Sequence, residues 1–441
     1  MMEAEILEDS EGEVLEPETT KYKPTDDEIG DMLITQWAGK IRFFFGAWHE
    51  YADGVWQPYR LLDRAIWEKL KEIKYTGIRP TASKVSSIEK YLQHYLSVDD
   101  SLIDSRHEYI NLKNGLFNVD TGQLEPHNLE AFMTSQLSFA YDEGADCPYF
   151  RKFLGEALVK PDGLMDFELQ SLLLEAMGYS LTANTDYRVS FWLVGASGTG
   201  KSVLINVIQE LAGTSHATIS LDELNNNSYQ LADIAGKRLV TFTEPKANSV
   251  LADDHYKRLV SQDTIMARQI FGKPFRFRPI CKLWGAMNDM PRVIDRSDAI
   301  FNRVLIIPMN HTMPEEKKDL QLGEKLSREL SGIFNLALIG LKRLRKAKAF
   351  TKAGQSEQAR QEYKSENDIE AAFLAECCVI EPDYKINGQV LYDAYSSWCK
   401  RNGSMAKSSV KVARDWERLG AIRIRSMKGT VYQGIRLIES A

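Results

Sequence analysis

The stretch from Ser190 to Leu211, SFWLVGASGTGKSVLINVIQEL, allows few local structures. Ser190 to Val194 is a short apolar run that reads as a buried strand, and Val203, Val207, Ile208 and Leu211 then recur at helical spacing. Between them stand Gly195, Ala196, Ser197, Gly198, Thr199, Gly200, Lys201 and Ser202. Strand, glycine-rich loop and helix in that order turn backbone N–H groups toward an anion at a helix N-terminus. Glycine is needed there because a Cβ would block close approach, or because φ must be positive. The spacing fits G-x-x-x-x-G-K-[ST] without a mismatch. Lys201 is expected to reach the β- and γ-phosphates of ATP, and Ser202 to offer its hydroxyl to Mg²⁺. A plain Gly/Ser turn before a helix is the competing reading, and the motif in its strand-to-helix setting outweighs it.

A chain of 441 residues exceeds one hydrophobic core and implies roughly two to four domains. Its apolar runs are too short to span a membrane, and no basic segment followed by an apolar one opens it, so neither a membrane nor a secretory signal is expected. Cys147, Cys281, Cys377, Cys378 and Cys399 form no C-x-x-C pair and read as reduced thiols of a cytoplasmic protein. The net charge of −7 argues against nucleic acid only until its distribution is seen: the first twenty residues hold eight acids and no Lys or Arg. Without them the remainder is near neutral, with its cations unevenly placed.

Residues 1–25 are too acidic and too poor in aromatics to order themselves. A mixed α+β domain is expected over 26–141, where Tyr51-Ala52-Asp53-Gly54 between aromatic runs reads as a hairpin turn and Asn114-Gly115 as another. The aromatics from Phe43 to Trp56 sit at strand spacing and read as core before they read as stacking platforms for bases. No strand carries paired aspartates suited to two-metal nucleotidyl transfer. Residues 142–186 show helical patterns and form a helical layer, followed by an α/β ATPase core over 187–346.

Within that core, Leu239 to Glu244 is a β-branched and aromatic strand with an acid at its C-terminal end, the end that faces ligand in a parallel sheet. Glu244 is therefore a candidate to polarise the attacking water and to sit beside the metal with Ser202. A second strand, Leu283 to Met287, ends at Asn288, which can orient the same water. Between them, alternation on both sides of Gly272-Lys273-Pro274 reads as a hairpin bearing Arg268, Lys273, Arg276 and Arg278, suited to the phosphates of a threaded strand. Arg303 enters a third buried strand, either as a finger toward a neighbouring subunit's γ-phosphate or as a strand-mouth arginine paired with an acid such as Asp298.

This order resembles superfamily 3 helicases, the AAA+ branch of phages, plasmids and DNA viruses, and most of all the ATPase half of phage, plasmid and poxvirus-type primase-helicases. The family's motifs match as GASGTGKS, LVTFTE, MARQIFGKPFRFRP and KLWGAMNDMP, and Asn111 to Asn128 is similar to the domain that precedes the ATPase. The resemblance implies an AAA+ P-loop core in a ring, usually a hexamer, with ATP between subunits and 3′-to-5′ translocation on single-stranded DNA driven by the Lys273 hairpin. Two departures stand out: Thr243 precedes Glu244 where many members carry two acids, and Asn302 precedes Arg303 where members often have two arginines, leaving Arg296 as the other candidate finger.

After a long amphipathic helix at Leu326 to Leu344, residues 347–366 read as a basic linker. Residues 367–441 then show three helical patterns and a terminal hairpin, the outline of a winged-helix domain. Lys407, Lys411, Arg414 and Arg418 would stripe its third helix for duplex DNA, although a solvated charged face has the same spelling. The whole reads as an ATP-dependent DNA helicase of a phage or mobile element in a bacterial cell, acting on single strands and forks beside a primase or polymerase of the same replication system. The alternative is an AAA+ loader, packaging motor or ATP-switched initiator that does not unwind.

Overall fold

The computed structural model describes residues 23–73, 78–220, 228–242, 251, 253–268, 274–293, 298–314, 316, 318–402, 406–426 and 429–438. The expected acidic tail lies almost wholly outside them. The chain divides between Gln136 and Leu137 into two units.

The first unit opens with α1 (Asp26–Trp37), capped as its T-x-x-E spelling requires: Glu28 N–H donates to Thr25 Oγ1 and Thr25 N–H to the Glu28 carboxylate. A meander of β1 (Ile41–Phe44), β2 (Ala47–Ala52) and β3 (Val55–Pro58) follows, then α2 (Leu62–Glu72) and α3 (Ala82–Leu96), and a second meander of β4 (Tyr109–Leu112), β5 (Gly115–Asn118) and β6 (Gln123–Glu125). The β2–β3 turn at Asp53-Gly54 has positive φ at both positions, as a two-residue hairpin demands. Phe44, Trp48 and Trp56 are buried, so the aromatic run is core, as its strand spacing suggested.

The second unit begins with α4 (Pro148–Ala157) and α5 (Phe167–Ser180), and its centre is a five-stranded parallel sheet. In chain order this part contains β7 (Ser190–Val194), α6 (Lys201–Ala212), β8 (His216–Ile219), α7 (Ser228–Ile234), β9 (Leu239–Phe242), α8 (Asp253–Ser261), the hairpin β10 (Ile265–Arg268) and β11 (Pro274–Phe277), β12 (Lys282–Met287), α9 (Asp298–Phe301) and β13 (Val304–Pro308). The sheet order is β13-β7-β12-β9-β8. Strands covered on both faces need continuous apolar runs, which is how FWLV, LVTF, LWGAM and VLII read. Val194 is in register with Met287 on one side and Pro308 on the other, so three strands end along one edge.

Beyond the sheet lie α10 (Leu322–Ser327), α11 (Leu330–Ala347) and α12 (Gly354–Glu366). The single helix expected over Leu326 to Leu344 is thus two. The expected linker at 347–366 is mostly the helix α12, seated by a fully buried Tyr363 that packs edge-on against Trp192 and Phe301. One aromatic anchor in a polar helix is too sparse a pattern to announce burial. The chain closes with α13 (Ile369–Cys377), β14 (Cys378–Asn387), α14 (Gly388–Arg401), α15 (Ser409–Arg418), β15 (Ile422–Ser426) and β16 (Gly429–Leu437), the strands forming an antiparallel sheet in the order β14-β16-β15. The helices and terminal hairpin match the expectation; β14 was not foreseen. Among the described residues no helix is long and apolar enough to cross a membrane.

In the first unit His49 stacks on Phe44 at 3.7 Å, and burial lowers its pKa from 6.5 to about 4. The folded state therefore stays neutral where the unfolded chain takes a proton. This contribution is fully present above pH 6.5 and is lost as pH falls through about 4, a difference of roughly 3 kcal/mol. The His49 ring resonances are expected to titrate near pH 4, and a midpoint near 6.5 would show a solvated ring.

Candidate nucleotide site and arginine hairpin

The loop between β7 and α6 is held by the sheet beneath it. Gly195 N–H donates to Met287 O at 3.3 Å and Met309 N–H to Val194 O at 2.7 Å, so the neighbouring strands fix where the loop departs. A Cβ on Gly195 would lie 2.1 Å from Met309 O, and one on Gly200, whose φ is +91°, would lie 2.9 Å from the Phe153 ring. Thr199 is buried and donates its hydroxyl to Ala196 O at 3.1 Å, closing the loop from within. Ala196, Ser197, Gly198 and Ser202 are exposed. Gly200 is the N-cap of α6 and no side chain caps it, which leaves the first-turn N–H groups to an anion.

Lys201 is buried, and its ammonium donates to Gly195 O at 2.6 Å, Ala196 O at 2.7 Å and Asn288 Oδ1 at 2.9 Å. Two residues singled out separately in the sequence, 87 positions apart, thus meet because β12 lies beside β7. Glu244 lies outside the described residues; β9 ends at Phe242. Thr241 on β9 ties the layers together, since Gln209 on α6 donates to its hydroxyl at 2.8 Å and Thr218 on β8 bonds it at 3.1 Å. His216 joins them, its pKa lowered by burial and then by Lys237.

Arg303 does not join this group within one chain. Val304 pairs with Ser190 at the start of β7, whereas the loop leaves the end of that strand, roughly 15 Å away at about 3.3 Å per residue. Its Nε donates to Ser261 Oγ at 3.2 Å. The alternative finger, Arg296, lies outside the described residues.

The expected basic hairpin is present. Met266 faces Arg276 and Arg268 faces Pro274; these four are exposed, while Ile265, Ala267 and Phe277 are buried in the core. Arg268 and Arg276 therefore share one open face, joined by Arg278 just beyond the strand. Lys273 lies outside the described residues.

The stripe expected on the third C-terminal helix requires correction. Lys407 precedes α15, and its ammonium is shared between Asp415 at 2.6 Å and the buried Glu370 at 3.2 Å. Arg418 is paired with Asp368 at 2.7 Å. Buried or half-buried acids on α13, at its N-cap and on α15 hold these two cations, while Lys411 and Arg414 are exposed.

Some positioning groups gave little signal in the sequence. Tyr363 Oη donates to Pro291 O at 2.5 Å and Val293 N–H donates to Asn367 Oδ1 at 3.1 Å, so the end of α12 holds the segment that follows Asn288. Lys282, fully buried, donates to Thr182 O and Ile280 O, and Arg238 donates to Leu181 O at 2.8 Å, so two cations satisfy carbonyls at the C-terminal end of α5. Burial and then Arg238 depress the Lys282 pKa well below the usual lysine range. A lysine leading an apolar strand reads as an exposed strand end; the helix terminus it serves lies 100 residues away.

Residues 27–159 match the family described as "D5 N terminal like", and residues 193–303 match a family of unknown function, DUF5906. The protein named "Putative helicase L207/L206" of Acanthamoeba polyphaga mimivirus is 23% identical over 406 residues, 85% of this chain and 41% of that one. "Putative helicase 022R" of Frog virus 3 is 24% identical over 275 residues, 56% of this chain and 27% of its own. The resemblance to primase-helicase-type helicases holds. The chain spans less than half the length of these two curated relatives. Its fold is that of the C-terminal region of NrS-1: one apo structure superposes with a TM-score of 0.53 at 12% identity over 93% of this chain and 99% of that one. A second, covering residues 305–718 of NrS-1, gives 0.51 at 12% identity over 95% and 100%.

Because the Met309 carbonyl occupies the space a Gly195 side chain would need, Gly195→Ala is expected to lower stability by about 1–3 kcal/mol. Thermal unfolding of the variant checks this; an unchanged midpoint would mean that the loop yields freely.

Proposed function

We propose that this chain is the motor of a DNA helicase, an AAA+ ATPase that binds ATP and Mg²⁺ in the loop Gly195 to Ser202 and moves on single-stranded DNA. The observation that carries the reading is the meeting of Lys201 and Asn288 at the end of β7, in the same unit as a hairpin whose open face bears Arg268 and Arg276. The helicase names of the viral relatives support it.

The loop suits a triphosphate. It offers uncapped N–H groups, an ammonium held at the loop by two carbonyls and Asn288, and close approach over glycine. Mg²⁺ would rest on Ser202 and the nucleotide's own phosphates, with Glu244 as the candidate acid beside it. Bound there, it would offset phosphate charge. Lys201 would turn from the loop carbonyls to the β- and γ-phosphates, Asn288 would fix its direction and orient the attacking water, and Glu244 would accept the proton that water gives up.

Arg303 lies too far from its own loop to serve it, which favours a ring, proposed as a hexamer, in which it reaches the neighbour's γ-phosphate. Translocation is proposed to run 3′ to 5′, with Lys273 at the hairpin tip and Arg268 and Arg276 on its face gripping phosphates irrespective of sequence. Residues 367–441 are proposed as a winged helix that meets duplex DNA through Lys411 and Arg414. A primase or polymerase is the proposed partner in replication.

The test is ATP-dependent unwinding of forked duplexes with tails of either polarity. Lys201→Ala is expected to abolish hydrolysis and unwinding together, and Asn288→Ala to lower hydrolysis by about a hundredfold while ATP still binds. Hydrolysis without strand separation on any fork would replace the helicase with a loader or ATP-driven switch. Arg268→Ala and Arg276→Ala are each expected to weaken single-strand binding and to reduce the salt slope of log K by about 1. Titrations from 50 to 200 mM salt read this, and an unchanged slope would take the arginines off the strand.

A further inference from the structure

The foot of the arginine hairpin, the helix before it and Arg303 converge on two adjacent residues, Ser261 and Gln262. Ser261 ends α8 and accepts the Arg303 Nε–H at 3.2 Å. Gln262 follows with φ of +65°, a left-handed conformation that a residue with a long side chain seldom adopts, and the chain then enters β10. Its side chain faces two ways. The amide nitrogen donates to Thr185 O, on the segment leading into β7, and the amide oxygen accepts from Arg278 Nη2 at 3.4 Å, just past β11. Both stems of the hairpin are thereby tied to one joint.

One turn into α8, the helix is tied to β7. Tyr256 is fully buried, and its hydroxyl bonds Ser190 Oγ and accepts the Trp192 Nε1–H at 3.0 Å. Ser190 in turn donates through N–H and Oγ to Arg303 O at 2.8 and 3.0 Å. The helix α8 therefore links the strand that ends in the loop Gly195 to Ser202, the backbone and guanidinium of Arg303, and the base of the hairpin. Rigid helices with hydrogen-bonded ends can carry a displacement that softer loops absorb.

We propose that Ser261 and Gln262 are positioning residues that couple hydrolysis to hairpin movement. Arg303 leaves Ser261 when a neighbouring nucleotide draws its guanidinium away, and the joint at Gln262 then resets the hairpin stems. Neither residue belongs to the loop Gly195 to Ser202. The inference rests on the helicase reading above, and specifically on Arg303 serving a neighbouring site and the hairpin holding the strand.

The experiment measures base pairs unwound per ATP hydrolysed, using the full chain on a forked duplex, for wild type, Ser261→Ala, Ser261→Thr and Gln262→Ala. The ratio is expected to fall by about fivefold or more in Ser261→Ala and Gln262→Ala and to recover in Ser261→Thr, which keeps the hydroxyl. DNA stimulation of hydrolysis is expected to fall with it. A merely structural role would lower unwinding and hydrolysis in the same proportion and leave the ratio unchanged, and that result overturns the proposal. An unchanged ratio with wild-type rates overturns it equally. Failure of the helicase reading itself is distinguishable, because the wild-type protein would then hydrolyse ATP without separating strands, and this proposal would fall with it.

Discussion

The Lys201 ammonium, held between two loop carbonyls and Asn288, is the contact around which the second unit is arranged. It exists only because β7 and β12 are adjacent and end in register at Val194 and Met287. Each neighbour of β7 contributes to the loop: Met287 O receives the Gly195 N–H, and the chain after β13 runs so close that its carbonyl fills the space beside Gly195. A buried ammonium needs hydrogen-bond acceptors, and two loop carbonyls and the Asn288 amide oxygen supply them here.

Buried ionisable side chains elsewhere in the chain are used differently. Lys282 and Arg238 satisfy carbonyls beyond α5, Glu175 joins α5 to α11 through Arg343 at 2.6 Å, and Lys407 and Arg418 tie α15 to acids on or beside α13. Removing one partner from such sets leaves an uncompensated group and costs more than the contact contributes. These groups are architectural, whereas Arg268, Arg276, Lys411 and Arg414 are exposed. Residue type alone does not distinguish the two classes.

Legibility in the sequence followed the range of the interaction. The loop, its flanking strand and helix, the hairpin at Asp53-Gly54 and the alternation of β10 and β11 are local patterns, and each is present in the structure. The helix α12 and the strand β14 escaped notice. The first is anchored by one tyrosine in a polar run. The second carries a register shift between Ile380 and Lys385 that breaks its alternation. Lys407 looked like one of four equivalent cations because the acids that claim it lie 37 and 8 residues away.

By itself the sequence determined that a glycine loop stands between a buried strand and a helix, that the neighbouring strands are apolar throughout, and that a cationic hairpin interrupts them. These follow from steric limits on φ, from helical and strand periodicity, and from the exclusion of charge from a doubly covered sheet. Only the tertiary structure decided that Asn288 meets Lys201, that Arg303 stands at the far end of the sheet from its own loop, and which cations are exposed. The reason is physical: strand order and register set which side chains become neighbours, and those depend on packing between segments whose separation along the chain carries no local signal.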